Sequence, residues 1–187
     1  GLITKALELT KKLLENFPRS TALHIISGDA NTKLKQYNAA IKSYQAAIEL
    51  RPTFATSHFN LGIALQDTGN LKSAIISYKK AISLKPDYSE AHLNLGIALK
   101  KNGAIEAAIE SFNDAISCKP DYTEAYISIG DIFREKLHRS QEAEDLINAT
   151  KSFKKALTIN PHNFLAYDGI SFLLRYYTFA RNNKLFD

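Results

Sequence analysis

The chain has 187 residues, of which 45% are apolar and 23% charged, with a formal net charge of +5 and a pI near 9.2. That length suits one domain or one short repeat array, and no window of 18 uninterrupted apolar residues suggests a membrane span. A single cysteine, Cys118, excludes an internal disulfide and any multi-cysteine metal site, and lysines spread without a block of five like charges read as a solvated surface first and a weak pull on acidic partners second.

The first 20 residues lack the basic, apolar and small-residue order of a signal peptide. There is no methionine, even at position 1, so the chain reads as an excised or processed piece of something longer. Cys118 ends a helical pattern and reads as a small, partly buried side chain.

The prolines set a frame. Pro18, Pro52, Pro86 and Pro120 stand 34 residues apart, and Pro161 follows after 41. The phrase KPDY occurs at 85–88 and again at 119–122, with RPTF as a worn copy at 51–54. Before Pro52 come His24 and Gly28, then Ala40, Tyr44 and Ala47. Before Pro86 come His58, Leu61, Gly62 and Leu65, then Ala74, Tyr78 and Ala81. Before Pro120 come His92, Leu95, Gly96 and Leu99, then Ala108, Phe112 and Ala115. Before Pro161 come Tyr126, Ile129, Gly130 and Phe133, then Ala149, Phe153 and Ala156.

Ala74, Ile75, Tyr78, Ala81 and Ile82 keep the spacing of an amphipathic helix. Gly69-Asn70 and Gly103 separate the two helices of a pair. Gly62, Gly96, Ala74 and Ala108 are small where helices would cross closely. Glycine inside a helix costs about 1 kcal/mol against alanine, so close packing must offset it. Lys85 and Lys119 suit a helix C-terminus, and the next proline bars continuation.

This pattern resembles the tetratricopeptide repeat (TPR), which places a large residue, Leu-Gly and a large residue on helix A, then Ala, an aromatic, Ala and Pro on helix B. The resemblance implies an all-α TPR solenoid, a right-handed superhelix of antiparallel helix pairs. Helices A would line its concave face and helices B its convex face, and its stability would be mostly nearest-neighbour. Residues 1–20 would be helix B of a truncated repeat. Four repeats would follow at 21–54, 55–88, 89–122 and 123–163, the last with a seven-residue insert near 137–143. Residues 164–187 would be helix A of a truncated or capping repeat. Ser27 and Asn31 replace large apolar residues, so the first helix A should be the least well packed. The insert LHRSQEA should lengthen both helices of repeat four by about one turn each, with His138–Ser140 as the corner and Ser140 as N-cap. It reads as a tolerated surface insertion, or alternatively as a knob that contacts a partner.

His24, His58 and His92 recur one repeat apart, too far from one another to share a metal. They read as packing residues facing helix B. His138 and His162 have no ligand partners at useful spacing. No phosphate-binding Gly loop, G-x-S-x-G or H-E-x-x-H motif is present. No catalytic residue, metal or cofactor is expected, and the chain is not expected to be an enzyme. Lys100-Lys101 and Lys33/Lys35 face Asp29, Asp67, Asp131 and Glu135 on the same side, with no interleaved aromatics. Neither nucleic acid nor a membrane is an expected partner.

Carried over residue by residue, the family groove would present Phe59, Asn60, Ile63 and Gln66, then Leu93, Asn94, Ile97 and Lys100, then Ile127, Asp131 and Arg134. Phe59, Ile63, Leu93, Ile97 and Ile127 would form an exposed apolar strip, a sign of a binding surface. Asn60 and Asn94 beside it resemble the asparagine ladder in the TPR superhelix of O-GlcNAc transferases. Ile25 and Asp29 stand where a carboxylate clamp would need other residues, so that role is not expected. The resemblance implies a non-catalytic module that binds an extended peptide or partner segment. The alternatives are a substrate-recruiting arm of a larger transferase-type enzyme and a self-assembling scaffold. Tyr167, Ile170, Leu174 and Tyr177 make one stripe on the last helix. The tail from Arg181 to Asp187 is too short and polar to cover it. The expectation is end-to-end association, by a homodimer through this helix, a swapped segment or the rest of a parent protein.

Overall fold

The computed structural model describes residues 1–182. Among these residues there are ten α-helices and no strand: α1 (Leu2–Asn16), α2 (Thr21–Lys33), α3 (Tyr37–Leu50), α4 (Ala55–Asp67), α5 (Leu71–Leu84), α6 (Ser89–Lys101), α7 (Ile105–Cys118), α8 (Thr123–Ser140), α9 (Ala143–Ile159) and α10 (Phe164–Asn182). The chain divides into two compact units, Gly1–Ala104 and Ile105 onward. In the first, each helix packs on the next, and α2 touches α4 as α4 touches α6. In the second, α8 packs on α7 and α9, and α10 packs on both α8 and α9.

One contact recurs in both units. The aromatic ring of a B helix lies on a glycine of its A helix. A Cβ at Gly62 would stand 2.5 Å from the ring of Tyr78, and one at Gly28 would strike Tyr44. In the second unit Phe153 lies between two glycines: a Cβ would meet its ring at 2.7 Å from Gly130 and 2.6 Å from Gly169. The rings are buried, and the alanines around them, Ala40, Ala47, Ala74, Ala81, Ala149 and Ala156, are fully buried. No side chain larger than hydrogen fits under the ring, which is why these helices tolerate glycine.

The KPDY corners close in three ways. The carbonyl of the first residue accepts from the amide of the fourth: Phe54 to Arg51 at 3.2 Å, Tyr88 to Lys85 at 3.2 Å and Tyr122 to Lys119 at 3.1 Å. The cation of the first residue sits over the ring of the fourth, 4.7 Å for Lys85 on Tyr88, 4.6 Å for Lys119 on Tyr122 and 5.6 Å for Arg51 on Phe54. The proline carbonyl then takes a hydrogen from the next A helix. Imidazole Nε2 of His24, His58 and His92 lies 2.9, 2.8 and 3.0 Å from the carbonyls of Pro18, Pro52 and Pro86. A carbonyl can only accept, so Nε2 carries the hydrogen. Tyr126 takes the same place, its hydroxyl 3.4 Å from the Pro120 carbonyl. The recurring histidines are therefore corner locks as well as packing residues.

Between helices A and B the backbone turns through one left-handed residue: Lys35 (φ 57°), Gly69 (φ 79°), Gly103 (φ 83°) and Gln141 (φ 58°). The insert is resolved differently from expectation. His138–Ser140 continue α8, and the corner falls at Gln141-Glu142. Leu137 is fully buried among the residues around Phe153, and this holds the extra turn of α8 in helical phase. Ser140 is not an N-cap; its hydroxyl donates to Asp145 at 2.7 Å and accepts from the Glu142 amide at 3.2 Å. α8 reaches 18 residues against 13 in α2, α4 and α6, and α9 reaches 17 against 14 in α3, α5 and α7. In α2, Ser27 and Asn31 are buried and satisfied by each other: the Asn31 amide donates to the Ser27 carbonyl at 2.8 Å, and Ser27 meets Ser43 at 3.2 Å. Cys118 is exposed rather than partly buried.

Two substitutions probe this framework. Gly62→Ala gains about 1 kcal/mol of helix propensity but drives a methyl into the buried Tyr78 ring, at about 1–3 kcal/mol for overpacking. The thermal midpoint by circular dichroism is expected to fall; a rise would show that the ring swings aside freely. Lys35→Gly relieves a left-handed backbone and should stabilise by ~0.5–1 kcal/mol. A lower denaturation midpoint would contradict it.

Candidate functional site

α4 and α6 each present a row of side chains at helical spacing. Phe59, Ile63 and Gln66 follow one another along α4; Leu93, Ile97 and Lys100 do so along α6. Phe59, Ile63 and Ile97 are half-buried. Phe59 packs its ring 4.8 Å from Tyr88 and 6.0 Å from Tyr78. The expected strip is not exposed throughout. Leu93 is 8% exposed and Ile127 only 6%. Ile127 belongs to the core around Phe153, and Leu93 is likewise withdrawn from water, where its apolar surface is unfavourable. Of the expected strip, Phe59, Ile63 and Ile97 are the members in the first unit that keep part of their apolar surface open.

A polar network borders it. Asp29 accepts from the Tyr44 hydroxyl at 2.7 Å and from the Asn60 amide at 3.0 Å, both on Oδ1. Tyr44 also meets the Thr32 hydroxyl at 3.2 Å. Burial pushes the Tyr44 phenol far up, and the Asp29 carboxylate adds to the rise while Thr32 opposes it. Burial likewise raises Tyr78, helped by the charge of Asp67, and its hydroxyl donates to Gln66 at 3.4 Å. Both phenols stay neutral donors at neutral pH. Phe112 and Phe153 fill the same helix-B position in the second unit without a hydroxyl. The network was missed in the sequence, although the signal was present: Tyr rather than Phe at that position in the first two repeats.

Asn60 and Asn94 are held by separate partners. One N–H of Asn60 is given to Asp29, while Asn94 donates to the Glu90 carbonyl in its own helix at 2.9 Å. Each amide is thereby oriented.

In the second unit Asp131 and Arg134 pair with each other at 2.7 Å. Arg134 also reaches Asp168 of α10 at 3.6 Å and lies over the Phe172 ring at 5.6 Å. These two predicted groove residues thus tie α8 to α10. On α10, Tyr167, Leu174 and Tyr177 are 52%, 63% and 49% exposed, while Ile170 is half-buried against the Phe153 core. The proposed role of the tail concerns chiefly residues 183–187, which lie outside the described residues.

What the α4–α6 face offers is apolar contact and amide hydrogen bonds, with Lys100 at the end of one row. Among the described residues no three His, Cys, Asp or Glu side chains are grouped to hold a metal ion, and no helix is long and apolar enough to cross a membrane.

Comparison with known proteins places the chain. Family models described as "TPR repeat" match residues 28–69 and 66–103, and one described as "Tetratricopeptide repeat" matches 89–122. No curated protein matches the sequence. A crystal structure of MamA is similar at 30% identity, covering 85% of this chain and 89% of that one, with a TM-score of 0.77. MamA 41-end from Desulfovibrio magneticus RS-1 is similar at 20% identity over 88% of this chain and 89% of that one, TM-score 0.77. YrrB, a TPR protein with an unusual peptide-binding site, is similar at 21% identity over 90% of this chain and 84% of that one, TM-score 0.73. The last two likenesses concern the fold alone. With its repeated ring-on-glycine crossings, its proline corners and these matches, the all-α chain is a TPR solenoid and belongs to the tetratricopeptide-repeat family.

Proposed function

We propose that the chain is a non-catalytic protein-interaction module that holds an extended segment of a partner along α4 and α6. Proteins of this family generally serve as interaction modules rather than catalysts, and YrrB shows that a protein of the same fold carries a peptide-binding site. The observation that carries the proposal is the half-buried apolar row of Phe59, Ile63 and Ile97 beside two oriented amides, Asn60 and Asn94. Packed helices stand about 8–10 Å apart, and three residues of extended chain span about 10 Å. One asparagine can thus meet every third peptide backbone unit, while Ile63 and Ile97 receive side chains between them. An amide both donates and accepts, as a peptide backbone requires. Gln66 and Lys100 continue the two rows.

A peptide selected from a random library on the wild-type chain tests this reading. The double variant Asn60→Ala/Asn94→Ala should weaken it by ~0.5–1.5 kcal/mol per lost bond, and Ile63→Glu should abolish binding. Selected peptides that bind both variants as tightly as wild type would remove the α4–α6 face from consideration.

A second reading rests on α10. Tyr167, Leu174 and Tyr177 leave about half or more of their surface in water. Burying a large apolar side chain gains ~1.5–3 kcal/mol, so a second copy of the chain docked on this stripe would be stabilised. Light scattering over a dilution series should show a dimer that Leu174→Glu dissociates. A monomer at every concentration would dispose of self-association through this helix.

A further inference from the structure

The second unit carries a groove of about 1060 Å³ that neither reading above uses. α8 supplies its floor through Tyr126, Ile129 and Phe133, one stripe at spacings of three and four. α7 supplies one wall with Ile109 and Ile116, and α9 the other with Leu146 and Ile147. Ile147 is 64% exposed, an apolar side chain presented to water in the first turns of the lengthened α9. The charged residues that line the groove are Lys151, Lys154 and Lys155, all on α9, and no carboxylate lines it.

We propose that this groove docks an amphipathic helix of another protein, apolar on one face and acidic along one flank. Three features of the groove select that occupant. The lining runs from Leu146 to Thr158 of α9, which at 1.5 Å per residue is about 18 Å, the length of three helical turns. The walls and floor are helices, whose backbone groups are already paired within each helix. A strand laid there would hold its amides and carbonyls over an apolar floor, with Asn113 and Asn148 the two amide side chains of the lining to meet them, whereas a helix satisfies its own. The three lysines stand at i, i+3 and i+4 on one wall, so they meet carboxylates on one flank of the incoming helix. Within this chain, α7 carries Glu106 and Glu110 on an apolar helix, but α7 is itself a wall of the groove. The occupant proposed is a helix of a different protein rather than α7 of a second copy.

The test uses the full chain and two labelled 14-residue helical peptides with the same leucine positions, one flanked by glutamates and the other by lysines. Fluorescence anisotropy should show the acidic peptide binding at least ten-fold more tightly than the basic one. Lys151→Glu/Lys154→Glu/Lys155→Glu should reverse that preference. Ile147→Asp, at an exposed position, should weaken the acidic peptide at least five-fold, and it decides the matter alone if the triple variant fails to fold. Ile63→Glu, on the other surface, should leave binding unchanged. The proposal is overturned if neither peptide binds, if both bind equally, or if binding responds to Ile63→Glu and not to Ile147→Asp.

Discussion

An aromatic ring lying on bare glycine backbone sets the spacing of the helix pairs. Tyr44 on Gly28, Tyr78 on Gly62, and Phe153 between Gly130 and Gly169 leave no room for a Cβ. The ring acts as a fixed spacer: it is buried on all sides, and interiors packed at crystal density give little. Fully buried alanines on the same B helices bring the backbones close around it. Each A helix then presents its remaining side chains outward in a set direction, and the rows on α4 and α6 follow from that.

The corners carry the second constraint. A proline stops one helix, a cation folds over the aromatic ring three residues on, and an imidazole from the next A helix takes up the proline carbonyl. Each contact is modest by itself, at ~0.5–1 kcal/mol for an exposed cation on a ring and ~0.5–1.5 kcal/mol for a hydrogen bond. Their recurrence in successive repeats fixes how one helix pair enters the next. In an array stabilised by nearest neighbours, that is where a small local preference has the most influence.

Two surfaces with different chemistry result. The face of α4 and α6 is apolar with oriented amides, and its polar border exists because Tyr44 and Tyr78 carry hydroxyls to Asp29 and Gln66. The groove of α7, α8 and α9 is apolar with a cationic wall. The first suits an extended backbone, whose polar groups need partners. The second suits a helix, whose backbone groups do not.

Periodicity was enough to read the helix pairs, the proline corners and the need for glycine at the crossings, because each depends on residues near in sequence or on one contact repeated every 34 residues. Side-chain direction was not legible. Leu93 and Ile127 occupy groove positions by register yet are buried, and Arg134 turns to Asp131, Asp168 and Phe172. The corner of the insert moved from His138–Ser140 to Gln141-Glu142 because Leu137 found a buried place that holds α8 in phase. The Asp29–Tyr44–Asn60 network joins three helices, and the α7–α9 groove depends on how far apart two walls stand over a third helix. The sequence alone determined the repeat and its corners, since these are local. The packed structure decided which side chains are free to meet a partner, since that depends on residues distant in the chain that compete for the same space.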